Sequence, residues 1–253
     1  MSLWHEAAGH GPDMVLVHGW GMNVGVWHLL LPALRERFRV TVIELPGHGE
    51  SAFGGEGDLD TWVQACLAVA PRQAAWVGWS LGGLIAQHAA LRDPERVRAL
   101  CMVCSTPSFV QRDGWSTAMP ADVFAQFARN LVADPGATLK RFLGLQVRGA
   151  QDARTVLRTL NDALAQRPAA DIEALKAGLS ILLDTDLRAQ LPQLSMPVHW
   201  LFGERDTLIP ASVAPVLEAL LPSMDSEVLE GAGHAPLLSH SQQSLQWLEQ
   251  CCG

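Results

Sequence analysis

Short, continuously apolar runs alternate along this chain with stretches of helical spacing. Residues 14–17 (Met-Val-Leu-Val), 40–45, 75–77, 99–104, 198–202 and 226–229 read as strands. Between them, apolar positions three and four apart predict helices over 24–38 (Val26, Leu30, Leu34, Phe38), 59–70, 81–91 and 241–249. The strand runs are apolar at successive positions, as a sheet covered on both faces requires. This alternation predicts an α/β fold with a mostly parallel sheet. A polar, glycine-rich connection spans 50–58.

The pattern changes after Ser105-Thr106-Pro107. From 108 to 184 only amphipathic helical segments occur, striped by Phe124, Phe127 and Leu131, by Leu139, Phe142 and Leu143, and by Val156, Leu157, Leu160 and Leu164. Asp134-Pro135-Gly136 and Arg167-Pro168 punctuate them. The expected organisation is a core of residues 1–107 and 185–253, interrupted by an all-helical insertion over 108–184.

Composition adds limits. With 253 residues, 49% of them hydrophobic and 17% charged, the chain can bury a sizeable core. A net charge of −8 argues against a general nucleic-acid binder. No apolar run reaches the roughly 18–20 residues that span a bilayer. The start, Met1-Ser2-Leu3-Trp4-His5-Glu6, lacks the basic and apolar regions of a signal peptide, so no membrane association is expected and the cytoplasm is the expected compartment. Five cysteines, an odd number, suggest no disulfide framework. Cys101 and Cys104 are three apart in a strand run, which predicts opposite faces. Cys251-Cys252 reads as a frayed tail.

Chemistry concentrates where strands end. Gly78-Trp79-Ser80-Leu81-Gly82 joins a strand run to a helix run, the pattern of a nucleophile elbow. Gly78 and Gly82 are expected where backbone segments approach too closely for a Cβ. His18-Gly19-Trp20, Asp206 and His234 lie at three further strand ends, where sites of open α/β sheets gather. Ser80 needs a base. His234 fits, with Asp206 to hold its other ring nitrogen and fix the tautomer. The backbone N–H groups of Leu81 and Trp20 are the expected oxyanion donors. His18 and His48 are read as structural, Glu204 is an alternative to Asp206, and Trp20 and Trp79 are read as pocket walls. Phe142 stays open between helix stripe and pocket wall. The spacings call for no metal, and the chemistry needs no cofactor.

These residues resemble the α/β-hydrolase family over essentially the whole chain. Leu16-Val-His-Gly-Trp-Gly-Met-Asn23, Trp76-Val-Gly-Trp-Ser-Leu-Gly-Gly-Leu84, Arg141-Phe142-Leu143 and Ser195-Met196-Pro197 are more closely similar to the biotin-pathway esterases, which demethylate pimeloyl-acyl-carrier-protein methyl ester. The resemblance implies Ser80 as nucleophile, Trp20 and Phe142 against the acyl chain, and Arg141, Arg154 and Arg158 of a helical lid gripping the carrier protein. It departs at Glu44, where such hydrolases usually have Asp, and at Ala137-Thr138-Leu139, where the family has a further arginine. Lys140 or Arg148 are candidate substitutes. Charge points the same way: seven Lys/Arg between Arg129 and Arg167 face three Asp, a local +4. Arg154 and Arg158, four apart, share a helix face. A basic lid on an acidic body would steer an acidic partner. A serine esterase acting as a monomer is the expectation; a broad ester or carbon–carbon bond hydrolase, and a non-catalytic receptor of the same fold, are the alternatives.

Overall fold

The structure, a computed structural model, describes residues 2–55 and 57–253. Met1, the first residue of the stretch read for a signal peptide, and Glu56, in the predicted 50–58 connection, lie outside the described residues. The strands are β1 His5–Ala8, β2 Asp13–Val17, β3 Arg39–Ile43, β4 Ala74–Trp79, β5 Val97–Val103, β6 Val198–Gly203 and β7 Asp225–Leu229. They form one seven-stranded sheet in the order β1-β3-β2-β4-β5-β6-β7, parallel except for β1. The helices are α1 Leu31–Arg37, α2 Leu59–Val69, α3 Leu81–Arg92, α4 Ala121–Ala133, α5 Pro135–Gln146, α6 Ala153–Leu164, α7 Ile172–Asp184, α8 Ala214–Leu220, α9 Pro236–Ser239 and α10 Ser241–Cys252.

Successive strand residues feed two separate cores. Val15, Val17, Trp76, Leu100 and Met102 pack with α2, α3 and α8 on one face. Met14, Leu16, Val77, Cys101 and Val103 pack with α1 and α10 on the other. This two-sided burial is why the runs were apolar at every position. The four helices α4 to α7 follow β5 and precede β6, so they stand over the carboxyl ends of the strands. Of these, α7 had no stripe of its own in the sequence reading. It is capped by Asp171, whose side chain accepts from the N–H groups of Glu173 and Ala174.

Several expectations are corrected. The predicted 24–38 helix is two elements: a 3-10 turn Val24–Trp27 capped by Asn23, then α1. Pro32 belongs only in a first turn, so it restarts the helix. The edge strand β1 had no apolar run to announce it, because three of its four residues are exposed. Its order comes from antiparallel pairing with β3. Cys251-Cys252 is no frayed tail: α10 runs through both, and Cys252 is fully buried. The Cys101/Cys104 face argument also fails, since Cys104 lies past β5 with φ +45° and both thiols enter the same core. They take different partners: Cys252 Sγ lies 3.4 Å from Cys101 Sγ, and the Cys104 thiol points at the Gly233 carbonyl. Among the described residues, no helix is long and apolar enough to cross a membrane.

Candidate active site

β4 delivers Ser80 into a conformation that side chains rarely adopt, φ 56° and ψ −119°. Such a backbone costs on the order of 1–3 kcal/mol and persists only where its surroundings enforce it. Here they do. A Cβ on Gly78 would lie 2.2 Å from the Gly82 carbonyl oxygen, and one on Gly82 would lie 2.2 Å from that of Val17. The Ser80 N–H donates to the Val103 carbonyl, and Ser105 Oγ donates to the Ser80 carbonyl at 2.7 Å. The turn is thus bolted to β5 and to the loop that follows it.

Asp206 and His234 come from the ends of β6 and β7. Asp206 Oδ1 accepts from the N–H groups of Leu208 and Ile209, at 2.8 and 3.0 Å. Its other oxygen accepts from His234 Nδ1 at 2.7 Å, and both side chains are buried. A carboxylate on Nδ1 leaves Nε2 as the basic nitrogen. That Nε2 is buried without a hydrogen-bond partner. It borders, with the Ser80 side chain, a cavity of about 40 Å³ walled by Trp20, Phe109, Phe124 and Phe142. The two are not hydrogen-bonded to each other, and in unliganded enzymes such bonds are often long. Trp79 does not wall this cavity. Its indole Nε1–H instead donates to the His234 carbonyl at 2.8 Å, fixing the histidine loop. Glu204 is engaged elsewhere, accepting from the Gly231 N–H at 2.8 Å.

The His18–Gly21 loop faces the nucleophile turn. His18 Nδ1 bonds the Gly19 carbonyl at 2.8 Å, and its Nε2 accepts from the Leu45 N–H. His48 Nδ1 bonds the Pro46 carbonyl, and its Nε2 accepts from the Gly21 N–H at 3.2 Å. Burial lowers His18 to about 3, the neighbouring His48 adding to it, and burial lowers His48 to about 4. Both are therefore neutral spacers rather than bases. Within this loop Gly21 N–H and Met22 N–H are bonded, while Trp20 N–H and Leu81 N–H have no acceptor among the described residues. Those are the two donors expected to meet an oxyanion.

Over the small cavity lies a larger, mainly apolar one of about 520 Å³. Trp20, Phe127 and Phe142 line it, and Phe142 stands edge-on to Trp20 at 4.8 Å. Trp20 is also tied to α7, through Nε1–H to the Leu175 carbonyl at 2.8 Å. Arg129 and Arg141 border this cavity. Arg154 and Arg158 are exposed on α6, and Lys140 and Arg148 are exposed too. Arg167 differs: its guanidinium lies 4.0 Å over the Trp4 ring and 3.8 Å from the buried carboxylate of Glu44. Burial pushes Glu44 above the usual carboxylate range; its other oxygen accepts from the Glu50 N–H. Glu44 thus holds a loop, and Arg167 ties the α6–α7 connection to the core.

Ser105 is the supporting residue that sequence reasoning missed, whereas His48, read as structural, does hold the Gly21 N–H, and Cys104, read as core, is buried. Only the Ser/Thr at the end of β5 offered a signal for Ser105. Cys104, Asp206 and His234 bring ligand-type atoms within 4.8 Å of one another. The carboxylate and imidazole are committed to each other, and burial, then the Asp206 charge, pushes the Cys104 thiol well up. A thiol kept protonated is a poor metal ligand.

Residues 12–241 match the family model described as alpha/beta hydrolase fold. The chain is 44% identical over 255 residues to the pimeloyl-[acyl-carrier protein] methyl ester esterase of Aeromonas hydrophila, covering 100% of each. It is 42% identical to the protein of that name from Vibrio cholerae, covering 98% of this chain and 97% of the other. Among solved structures it superposes on an esterase from Exiguobacterium antarcticum with TM-score 0.89 at 23% identity, covering 98% and 94% of the two chains. A bromoperoxidase from Bacillus anthracis superposes with TM-score 0.88 at 19% identity, covering 98% and 94%, which speaks for the fold alone. The chain belongs to the α/β-hydrolase fold family and, along its whole length, to the family of pimeloyl-[acyl-carrier protein] methyl ester esterases.

Proposed function

We propose that this chain is a serine carboxylesterase that hydrolyses the methyl ester of pimeloyl-acyl carrier protein, with Ser80 as nucleophile, His234 as base and Asp206 as its orienter. The observation that carries this reading is the buried Asp206–His234 pair, whose free Nε2 borders the same cavity as the strained Ser80. Ser80 Oγ gives its proton to His234 Nε2 and attacks the ester carbonyl. The oxyanion is met by the N–H groups of Trp20 and Leu81, each donor worth about 2.7–4 kcal/mol in the transition state. His234 then protonates departing methanol. Water, deprotonated by the same nitrogen, releases the carboxylate and restores Ser80. No cofactor enters this cycle.

Trp20 and Phe142 contact the acyl chain in the apolar cavity, and helices α4 to α7 form the lid over a core of residues 1–107 and 185–253. Arg141, at the cavity's edge, and the exposed Arg154 and Arg158 receive the carrier protein. Exposed cations of this kind act through long-range attraction that salt weakens. The relatives' names, which state a carrier-linked ester, support this substrate. The enzyme works as a monomer in the cytoplasm. The test compares turnover of the carrier-bound methyl ester with that of the same acyl methyl ester free of carrier. Faster turnover of the carrier-bound form is expected, with Ser80→Ala inactive on both. Equal turnover of the two esters would favour a broad esterase, and substantial turnover by Ser80→Ala would sink the mechanism.

A further inference from the structure

Away from the carboxyl ends of the strands, one rung of the sheet carries chemistry that ester hydrolysis does not use. Register pairs Cys101 of β5 with His199 of β6, and His199 with Asp225 of β7. Register partners project to the same face, so a thiol, an imidazole and a carboxylate stand in a row. His199 Nδ1 lies 3.3 Å from Asp225 Oδ2. The last turn of α10 covers this row with two more thiols. Cys252 Sγ is 3.4 Å from Cys101 Sγ, and Cys251, the residue before it, is close enough to Cys101 and His199 for both to shift its titration. Arg98, also on β5, donates to the Cys252 carbonyl and pins that turn. Of the three thiols only Cys251 is partly exposed.

The thiols are also chemically unequal. Hydrogen bonding from Cys101, and then from His199, holds Cys251 below the ordinary thiol range, at about 6. The same thiolate raises His199, with Asp225 adding to it. Its two thiol neighbours, and burial, push Cys101 well up. A partly exposed thiolate beside a cation is the form that attacks electrophiles, and a buried protonated thiol in the same cluster is placed to follow it.

We propose that Cys251 is a peroxide-reactive thiolate and that Cys101 resolves it, joining the end of α10 to β5 by a disulfide. The Cys251 sulfur attacks one oxygen of a hydroperoxide. An S–O bond forms, the O–O bond breaks, and the departing alkoxide or hydroxide takes a proton from His199. The Cys101 sulfur, giving its proton to the neutral His199, then attacks the sulfenic sulfur. An S–S bond forms, and hydroxide leaves as water with that proton. Two thiols and one hydroperoxide become one disulfide, one water and one alcohol or second water; the thiols lose two electrons and the peroxide gains them. A dithiol reductant reverses the link.

The test treats the full chain with hydrogen peroxide near neutral pH, then alkylates the remaining thiols under denaturing conditions and maps peptides without reduction. The five free thiols should fall to three, with Cys101 and Cys251 peptides linked, and dithiothreitol should restore all five. Cys251→Ser, a change at a partly exposed position, should keep ester turnover and lose no further thiols. Cys101→Ser should stop at a sulfenic acid on Cys251 that dimedone traps. His199→Asn should slow oxidation about tenfold. The proposal is overturned if all five thiols survive peroxide, or if a disulfide forms in Cys251→Ser at the rate of the unchanged chain.

Discussion

Lowering the pH from 7 to 5 is expected to destabilise this protein through two histidines that take no part in proton transfer. His18 and His48 lie with ring centroids 5.2 Å apart, lowered chiefly by burial to about 3 and about 4. In the unfolded chain each returns to about 6.5. A folded value below the unfolded one means that the unfolded state takes up protons first as the pH falls. The stability contributed is therefore complete above about pH 6.5 and is lost progressively down to the folded values. Between pH 7 and 5 protonation stabilises each unfolded imidazole by about 2 kcal/mol while the folded ring stays neutral, so the pair costs about 4 kcal/mol. That is a large part of an ordinary margin of about 5–15 kcal/mol. Glu44, raised by burial, and His199, raised by Cys251, titrate in the opposite sense, so the informative quantity is a difference between variants. Urea midpoints would be measured at both pH values for the unchanged chain and for His48→Gln, whose amide oxygen still offers an acceptor to the Gly21 N–H. The stability lost on acidification should be smaller by about 2 kcal/mol in His48→Gln. An equal loss in both proteins would refute the assignment of His48 as a buried neutral spacer.

Replacing Trp79 with Phe removes the buried donor to the His234 carbonyl, at a cost of about 1–3 kcal/mol in the urea midpoint before any cavity is counted. Because Trp79 does not wall the cavity, kcat should fall with little change in KM; unchanged kcat would mean that the histidine loop holds without it. Asp206→Asn should lower kcat by about 10⁴ with the fold intact by circular dichroism, since an amide on His234 Nδ1 no longer enforces the tautomer. Replacing Arg154 and Arg158 together with Ala should raise KM for the carrier-bound ester and flatten its salt dependence, leaving the carrier-free ester unaffected. Identical salt profiles would exclude α6 as the docking face.

What the chain's linear order determined was whatever depends on neighbours a few residues apart. The elbow was readable because Gly78 and Gly82 bracket Ser80, and a turn that tight excludes a Cβ at both places. The two-faced sheet was readable because continuous apolar runs are the one-dimensional trace of burial on both sides. The order of Ser80, Asp206 and His234 at the ends of β4, β6 and β7 belongs to the same class, since the alternation of elements already says which ends share an edge. Tertiary structure decided whatever rests on partners far away in the chain. β1 exists through β3, not through its own exposed residues. Trp79 proved to be a clamp on a residue 155 positions away rather than a pocket wall. Arg167, counted with the basic lid, is held by Glu44 and Trp4. Cys252 looked like the end of a tail until α10 carried it against Cys101, 151 positions away. A hydrogen bond or a thiol pair of that kind leaves no periodicity and no local spacing, because it forms only after the sheet has brought distant segments together.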